Sequence, residues 1–321
     1  MTTAKMNRRE FIGSIGAAAV VPSAFAETEA NETKAKKEDA IAVWDRETEL
    51  VSPKDYIAYR KDGNTRGFAA LEKLDAAFEK VMREAKETVV TGDAPAVWSV
   101  YNMGYIVKTR ESLFSIDLVH RRDVEFAPLL DFALVTHNHH DHWRDGFCRA
   151  MDTSHKTIIS NFLENHGATE WKKIDGVWTP SGGGFANGVK TFKIKDVEIR
   201  TSLIDHNNYL INFTTAFEIK IGDFILYHTG DSGRGTEHKL GTVWGRPDLW
   251  LFFPGCGVDT RKAVAQVKAK RIVFGHMWEL GHRPGHVGSR LDARLIRPRL
   301  AWAKEAGCED VSVGFWGDRI I

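Results

Sequence analysis

The sequence predicts a mixed α/β domain, and three observations carry that expectation. Several apolar runs of strand length end on a His or Asp, and one long stretch repeats its apolar residues at helical spacing. A hydrophobic content of 43% over 321 residues then supplies a substantial core for a single domain. The shared ending of the strands matters most, because strand ends along one sheet edge converge in space however far apart they lie in sequence.

In chain order, the first segment reads as an address. Asn7-Arg8-Arg9-Glu10-Phe11-Ile12 resembles a twin-arginine export signal, the weakly apolar run 13–21 follows, and Ala24-Phe25-Ala26 has the small-x-small form of a signal-peptidase site. That apolar run falls well short of the ~20 residues needed to span a bilayer. Residues 1–26 are therefore expected to be a cleaved leader read by export machinery, of the twin-arginine type or, alternatively, an ordinary secretory signal with two incidental arginines, with the mature chain periplasmic or secreted. No Cys follows the cleavage site, so no lipid or other stable membrane anchor is expected. A charged, alanine-rich, flexible linker is expected over 27–52. A helical appendage is expected over 53–93, where Phe68, Leu71, Leu74, Phe78, Val81, Met82 and Ala85 form one amphipathic stripe. Such a helix packs on the outside of a domain, or serves as a lid or dimer contact.

The strands follow. Leu113-Phe114-Ser115-Ile116 precedes Asp117, and Phe132-Ala133-Leu134-Val135 reads as a short buried strand. Val197–Ile204 alternates apolar and polar residues with period two and leads to His206. Ala216–Ile221 and Phe224–Tyr227 form an apparent hairpin turning at Gly222-Asp223, with Asp231 beyond its second arm. Arg271–Gly275 is another short apolar run, closed by His276.

Directly after the buried strand stands Thr136-His137-Asn138-His139-His140-Asp141-His142, which crowds imidazoles and a carboxylate into one turn-sized segment. Neutral imidazole and carboxylate suit a borderline divalent cation such as zinc, and manganese or iron also fits such ligands. Buried without a cation, such groups would each carry a desolvation penalty of a few kcal/mol. The competing reading is a His-rich surface loop with no role.

The series His137-x-His139-x-Asp141-His142, then His206, Asp231 within Thr229-Gly230-Asp231, and His276 resembles the full ligand series of the metallo-β-lactamase superfamily. Asp117 resembles that family's structural Asp after an early strand. The resemblance runs from about Val97 to the C-terminus and implies a four-layer αββα sandwich over 94–321, with its site at one edge of two sheets. It implies His137, His139 and His206 on one metal ion, Asp141, His142 and His276 on a second, and Asp231 bridging both. Two such cations share a water, lower its pKa towards neutrality and polarise the oxygen under attack. Asp141 is in addition a candidate proton acceptor or orienting group. The implied activity is metal-dependent hydrolysis of a small-molecule ester or lactone, with phosphodiester cleavage or non-catalytic metal binding as alternatives.

Details narrow the resemblance. The flavo-di-iron branch of the family carries Glu where His139 stands, and the commonest zinc β-lactamases carry Cys where Asp231 stands. Trp143-Arg144-Asp145 departs from the small Gly-containing step of many members and bears on the pocket floor. Gly230-Asp231-Ser232-Gly233 also matches the nucleophile segment of trypsin-like proteases, but no upstream His segment accompanies it, so Ser232 is expected to be a turn residue. In the loop after His276, His282 and His286 are candidate proton donors to a leaving group, and Arg283 a candidate anion grip. Gly182-Gly183-Gly184 is a candidate flap or a plain turn.

The formal net charge of +1 excludes a global field that would draw nucleic acid or an anionic membrane. Cys148, Cys256 and Cys308 are too few and scattered for a disulfide framework or a CxxC site and are expected to be buried thiols, with one disulfide in an oxidising compartment as the alternative. The expected partner is a small-molecule substrate, and the oligomeric state stays open.

Overall fold

The computed structural model describes residues 40–160, 177–178, 189–282 and 291–321. The expected leader, Arg283, His286 and the Gly182–Gly184 segment lie outside them.

The stretch 41–52, expected as flexible linker, is ordered. Residues 41–49 are helical, Ile41 and Val51 are buried, and the Trp44 ring stacks on Trp278 with centroids 5.2 Å apart. Asp45 accepts hydrogen bonds from Trp278 Nε1 and from the Ala293 backbone N–H. These partners lie more than 230 residues away, which is why local composition alone reads as a linker. Helix α1 (Pro53–Asp62) starts on a capping box, Ser52 with Asp55, and stops at Gly63 in the left-handed region. Helix α2 (Ala69–Glu87) is the amphipathic helix expected from sequence, burying Leu71, Leu74, Phe78, Val81 and Ala85. Trp98 Nε1 donates to Glu84, and Lys108 Nζ donates to the Ala85 carbonyl, fixing α2 against the first sheet.

Two mixed sheets form the centre. The first contains, in spatial order, β1 (Ala96–Ser99), β2 (Tyr105–Lys108), β3 (Leu113–Ile116), β4 (Phe132–Leu134), β5 (Thr157–Ser160) and β6 (Val177–Trp178). The second runs from β7 (Thr191–Ile194) through β8 (Val197–Ile204), β9 (Thr214–Ile221), β10 (Phe224–Asp231), β11 (Leu249–Phe253) and β12 (Arg271–Phe274) to β13 (Asp310–Val313). The hairpin forms where expected: Ile221 pairs with Phe224 across Gly222-Asp223, and Gly222 has φ +56°. Its second arm runs further than the apolar residues suggest, ending at Asp231 itself with a register irregularity after His228.

The sheets meet through apolar side chains. The Tyr105 ring packs edge-on against His228, and Thr215 N–H donates to the Thr136 carbonyl. Helix α3 (Asp145–Thr153) flanks the first sheet near β5, and α5 (Ala293–Glu305) flanks the second near β13, with α4 (Thr260–Val267) packed against α5. Helix, sheet, sheet and helix make four layers. β8, β10, β11 and β12 all point the same way, so their carboxyl ends open on one edge. The site stands there.

Candidate metal centre

Each side chain of the centre enters from a strand end. Asp117 follows β3, the 136–142 loop follows β4, His206 follows β8, Asp231 ends β10 and His276 follows β12. Two glycines let the loops close. A Cβ on Gly230, which has φ +49°, would meet Thr136 Oγ1 at 2.8 Å, and one on Gly233 would overlap the His206 carbonyl. His276 itself lies at φ +60°, an uncommon conformation for a side-chain-bearing residue; its N–H donates to the Asn102 carbonyl at 3.0 Å.

The fold brings all the sequence-predicted ligands together. Side-chain atoms of His137, His139, His206 and Asp231 lie within 4.8 Å of one another, and so do those of Asp141, His142 and His276. Asp231 faces both groups. Its Oδ2 is 3.3 Å from His206 Nε2 and 3.9 Å from His137 Nε2, while its Oδ1 is 3.1 Å from His142 Nε2 and 3.7 Å from His276 Nε2. Asp141 Oδ2 is 3.0 Å from His276 Nε2 and 3.6 Å from His142 Nε2. Around a tetrahedral ion with bonds of 2.0–2.1 Å, neighbouring ligand atoms stand about 3.3 Å apart. The observed spacings bracket that value.

Hydrogen bonding supports the same fit. Apart from their close approaches to one another, His137 Nε2, His142 Nε2, His206 Nε2 and Asp231 Oδ1 are buried with no hydrogen-bond partner. An orphaned buried polar atom is costly, and four aimed at one place form a cradle for a cation. The opposite ring edges are held: His137 Nδ1 lies 3.0 Å from Thr136 Oγ1, and His142 Nδ1 lies 2.8 Å from Asp117 Oδ2. Asp117 also accepts from Thr136 N–H at 2.7 Å and from Thr136 Oγ1 at 2.6 Å, so it ties the loop and one imidazole to β3.

The electrostatics demand positive charge. Burial opposes ionisation of Asp141 and Asp231, yet His142 and His276 hold both carboxyls far below the usual range. Burial likewise opposes a charged His142, but Asp231, Asp141 and Asp117 together raise its pKa well above the ordinary imidazole value. His137 moves the other way through burial and the neighbouring His142 charge, and burial beside His206 takes His139 down to about 4. His137 and His139 stay neutral beside carboxylates that stay ionised, the protonation states a metal needs, whereas His142 carries a proton that a bound cation would displace.

A cavity of about 600 Å³ opens over these groups, lined by His139, Asp141, Asn207, Arg234, Cys256 and His282 among others. No family model matches the chain. A curated metal-dependent hydrolase from Rubrobacter xylanophilus is 24% identical over 190 residues, which is 53% of this chain and 77% of that protein. A metallo hydrolase from the archaeon Ignicoccus hospitalis superposes with a TM-score of 0.52 at 18% identity, covering 70% of this chain and 97% of its own. A diiron β-hydroxylase from Streptomyces venezuelae superposes with a TM-score of 0.51 at 15% identity, covering 70% of this chain and 54% of its own. Together with the layered sheets and the strand-end site, these likenesses decide the fold. The chain has the metallo-β-lactamase fold.

Within this fold, several expectations are refined. Trp143-Arg144-Asp145 is not part of the pocket lining. Trp143 Nε1 donates to the Asn138 carbonyl and Arg144 reaches Asp123 at 3.1 Å, so the segment anchors the loop from behind. Ser232 directly follows β10 and is buried, its hydroxyl donating to the Thr229 carbonyl. None of the three cysteines is in a disulfide; Cys148 and Cys308 are buried as expected, whereas Cys256 is half-buried beside the centre, its Sγ 3.5 Å from Asp231 Oδ2. Helix α2 contributes no residue to the pocket lining. Sequence reasoning passed over Cys256, Arg234 and Glu279. Arg234 carried a legible signal, since it follows Asp231 by three residues between Gly233 and Gly235.

Proposed function

We propose that this chain is a metal-dependent hydrolase holding two divalent cations, zinc in the first instance. His137, His139 and His206 take one ion, Asp141, His142 and His276 take the other, and Asp231 bridges. The observation that carries this reading is the two-sided placement of Asp231, with one oxygen turned to each group of imidazoles. Two cations so held supply an acidified water and polarise the oxygen of the bond under attack. Asp141, buried and ionised, lines the cavity and orients the attacking water, since a carboxyl held far below the usual range is a weak proton acceptor. The substrate is a small molecule with an ester or lactone bond, which suits a cavity of about 600 Å³. Arg234 at the pocket wall favours a second reading, a phosphodiester, because a guanidinium pairs with phosphate oxygens. The leader motif at Arg8-Arg9 supports export by the twin-arginine route, with the mature enzyme acting in the periplasm or outside the cell.

Elemental mass spectrometry of the metal-supplemented protein, followed by ester, lactone and phosphodiester panels, tests the assignment. About two ions per chain are expected, with loss in His137→Ala and His276→Ala. A folded parent that binds no zinc, manganese or iron would overturn the reading.

A further inference from the structure

A second cluster of metal-type residues lies beside the centre. Side-chain atoms of His140, Glu279 and His282 stand within 4.8 Å of one another, with Glu279 fully buried and His140 exposed. The hydrogen-bond inventory argues against a third ion there. Glu279 Oε1 accepts from Gly281 N–H at 2.6 Å and lies 3.4 Å from Tyr101 Oη, while Oε2 accepts from His282 N–H at 2.7 Å and from His282 Nδ1 at 2.6 Å. The carboxylate is saturated with donors, and it spends that capacity on one short turn and one imidazole. Tyr101 Oη in turn accepts from Leu280 N–H at 2.8 Å, which braces the turn from the first sheet.

A buried anion on Nδ1 fixes an imidazole's tautomer and orientation and favours its cationic form. The consequence for His282 is geometric. Its Nδ1–H is committed to Glu279, so the proton it can exchange with the cavity is the one on Nε2, and the ring lines the same cavity as Asp141 and Asp231. The side chain is 27% exposed, which leaves a path to solvent for recharging.

We propose that Glu279 is the positioning residue of a Glu279–His282 pair that delivers a proton to the leaving oxygen of the substrate. The proposal rests on the hydrolase reading above. As the C–O bond breaks, its electron pair departs on the alkoxide oxygen, which takes the Nε2 proton of the His282 imidazolium. The ring is left neutral with its proton on Nδ1, still held by Glu279. Water adds across the bond overall, and the proton released on the water side restores the imidazolium through solvent. Among the described residues, the charged and titratable groups around the ring are Glu279 on its own turn, His140 on the 136–142 loop, and Asp141 and Asp231 across the cavity. The carboxylates favour the cation and a second imidazolium would oppose it. The substrate class implied is an alkyl ester or lactone, whose alkoxide is too basic to leave unaided.

The test compares p-nitrophenyl butyrate, whose leaving group needs no proton, with ethyl butyrate, whose leaving group does. Parent, His282→Gln and Glu279→Gln are assayed fully metal-loaded, with metal content measured for each. A positioned proton donor contributes about 10²–10⁴-fold. The ratio of kcat for the ethyl ester to kcat for the nitrophenyl ester should therefore fall at least tenfold in both variants, at two metals per chain. His282→Gln alters a partly exposed side chain and keeps the test valid if Glu279→Gln does not fold. An unchanged ratio, or an equal fall on both esters with loss of metal, would show a scaffold turn and overturn the proposal. Turnover of neither ester by the metal-loaded parent would overturn the ester reading itself, and the donor role with it.

Discussion

Asp117→Asn tests how far the centre depends on a residue that faces away from the metals. The Asp117 carboxylate is fully buried and serves Thr136 N–H, Thr136 Oγ1 and His142 Nδ1 at 2.6–2.8 Å. Asparagine preserves the volume and one acceptor, which stays with Thr136 N–H. Its amide N–H₂ then faces His142 Nδ1, where the native residue presents an acceptor. Imidazole can meet a donor at Nδ1 only by carrying its own proton on Nε2, and Nε2 is the atom that must be bare to bind a metal ion. Loss of such an outer partner lowers metal affinity about 10–100-fold, equivalent to roughly 1.4–2.7 kcal/mol. Stability of the metal-free fold should fall by about 2–3 kcal/mol, because a buried charge-assisted donor is left mispaired. Competition with a chromophoric chelator reads the zinc affinity, and urea denaturation in excess chelator reads the fold. A folded Asp117→Asn protein that keeps its metal affinity within threefold of the parent would refute this account of the His142 tautomer.

Two further outcomes follow from packing and burial. Trp44→Ala removes a half-buried ring that contacts Trp278, Phe315 and Trp316 and should cost about 3 kcal/mol in urea denaturation, whereas a change below about 1 kcal/mol would show that the segment 41–52 is dispensable. Burial raises the Asp123 pKa to about 6 despite Arg144, so the native chain holds a proton that the unfolded chain releases between about pH 4 and pH 6. Its contribution to stability therefore falls as pH rises through that window and is constant above it, by about 3 kcal/mol in all. Asp123→Asn should gain on the parent by up to that amount between pH 4 and pH 7, and parallel stability curves for the two proteins would exclude the effect.

What could be read along the chain, and what needed the fold, divide on a physical line. The 137–142 cluster is legible because its ligands share one loop, and His206, Asp231 and His276 because each closes a strand whose periodicity is local. The hairpin at Gly222-Asp223 and the apolar stripe of α2 are legible for the same reason: neighbours in sequence set the backbone period. Glu279, by contrast, is one acid in a loop until folding buries it under Tyr101 and wraps the Gly281 and His282 N–H groups around it. Cys256 gains its place only because β11 runs parallel to β10 and sets it down beside Asp231. The charged stretch before Ser52 looks like a linker until Trp44 and Asp45 meet Trp278 from the far end of the chain. Residue chemistry and local period determined the fold class and the candidate ligands. Tertiary structure decided which oxygen faces which imidazole, because the energy of a buried polar group depends on partners that sequence distance does not reveal.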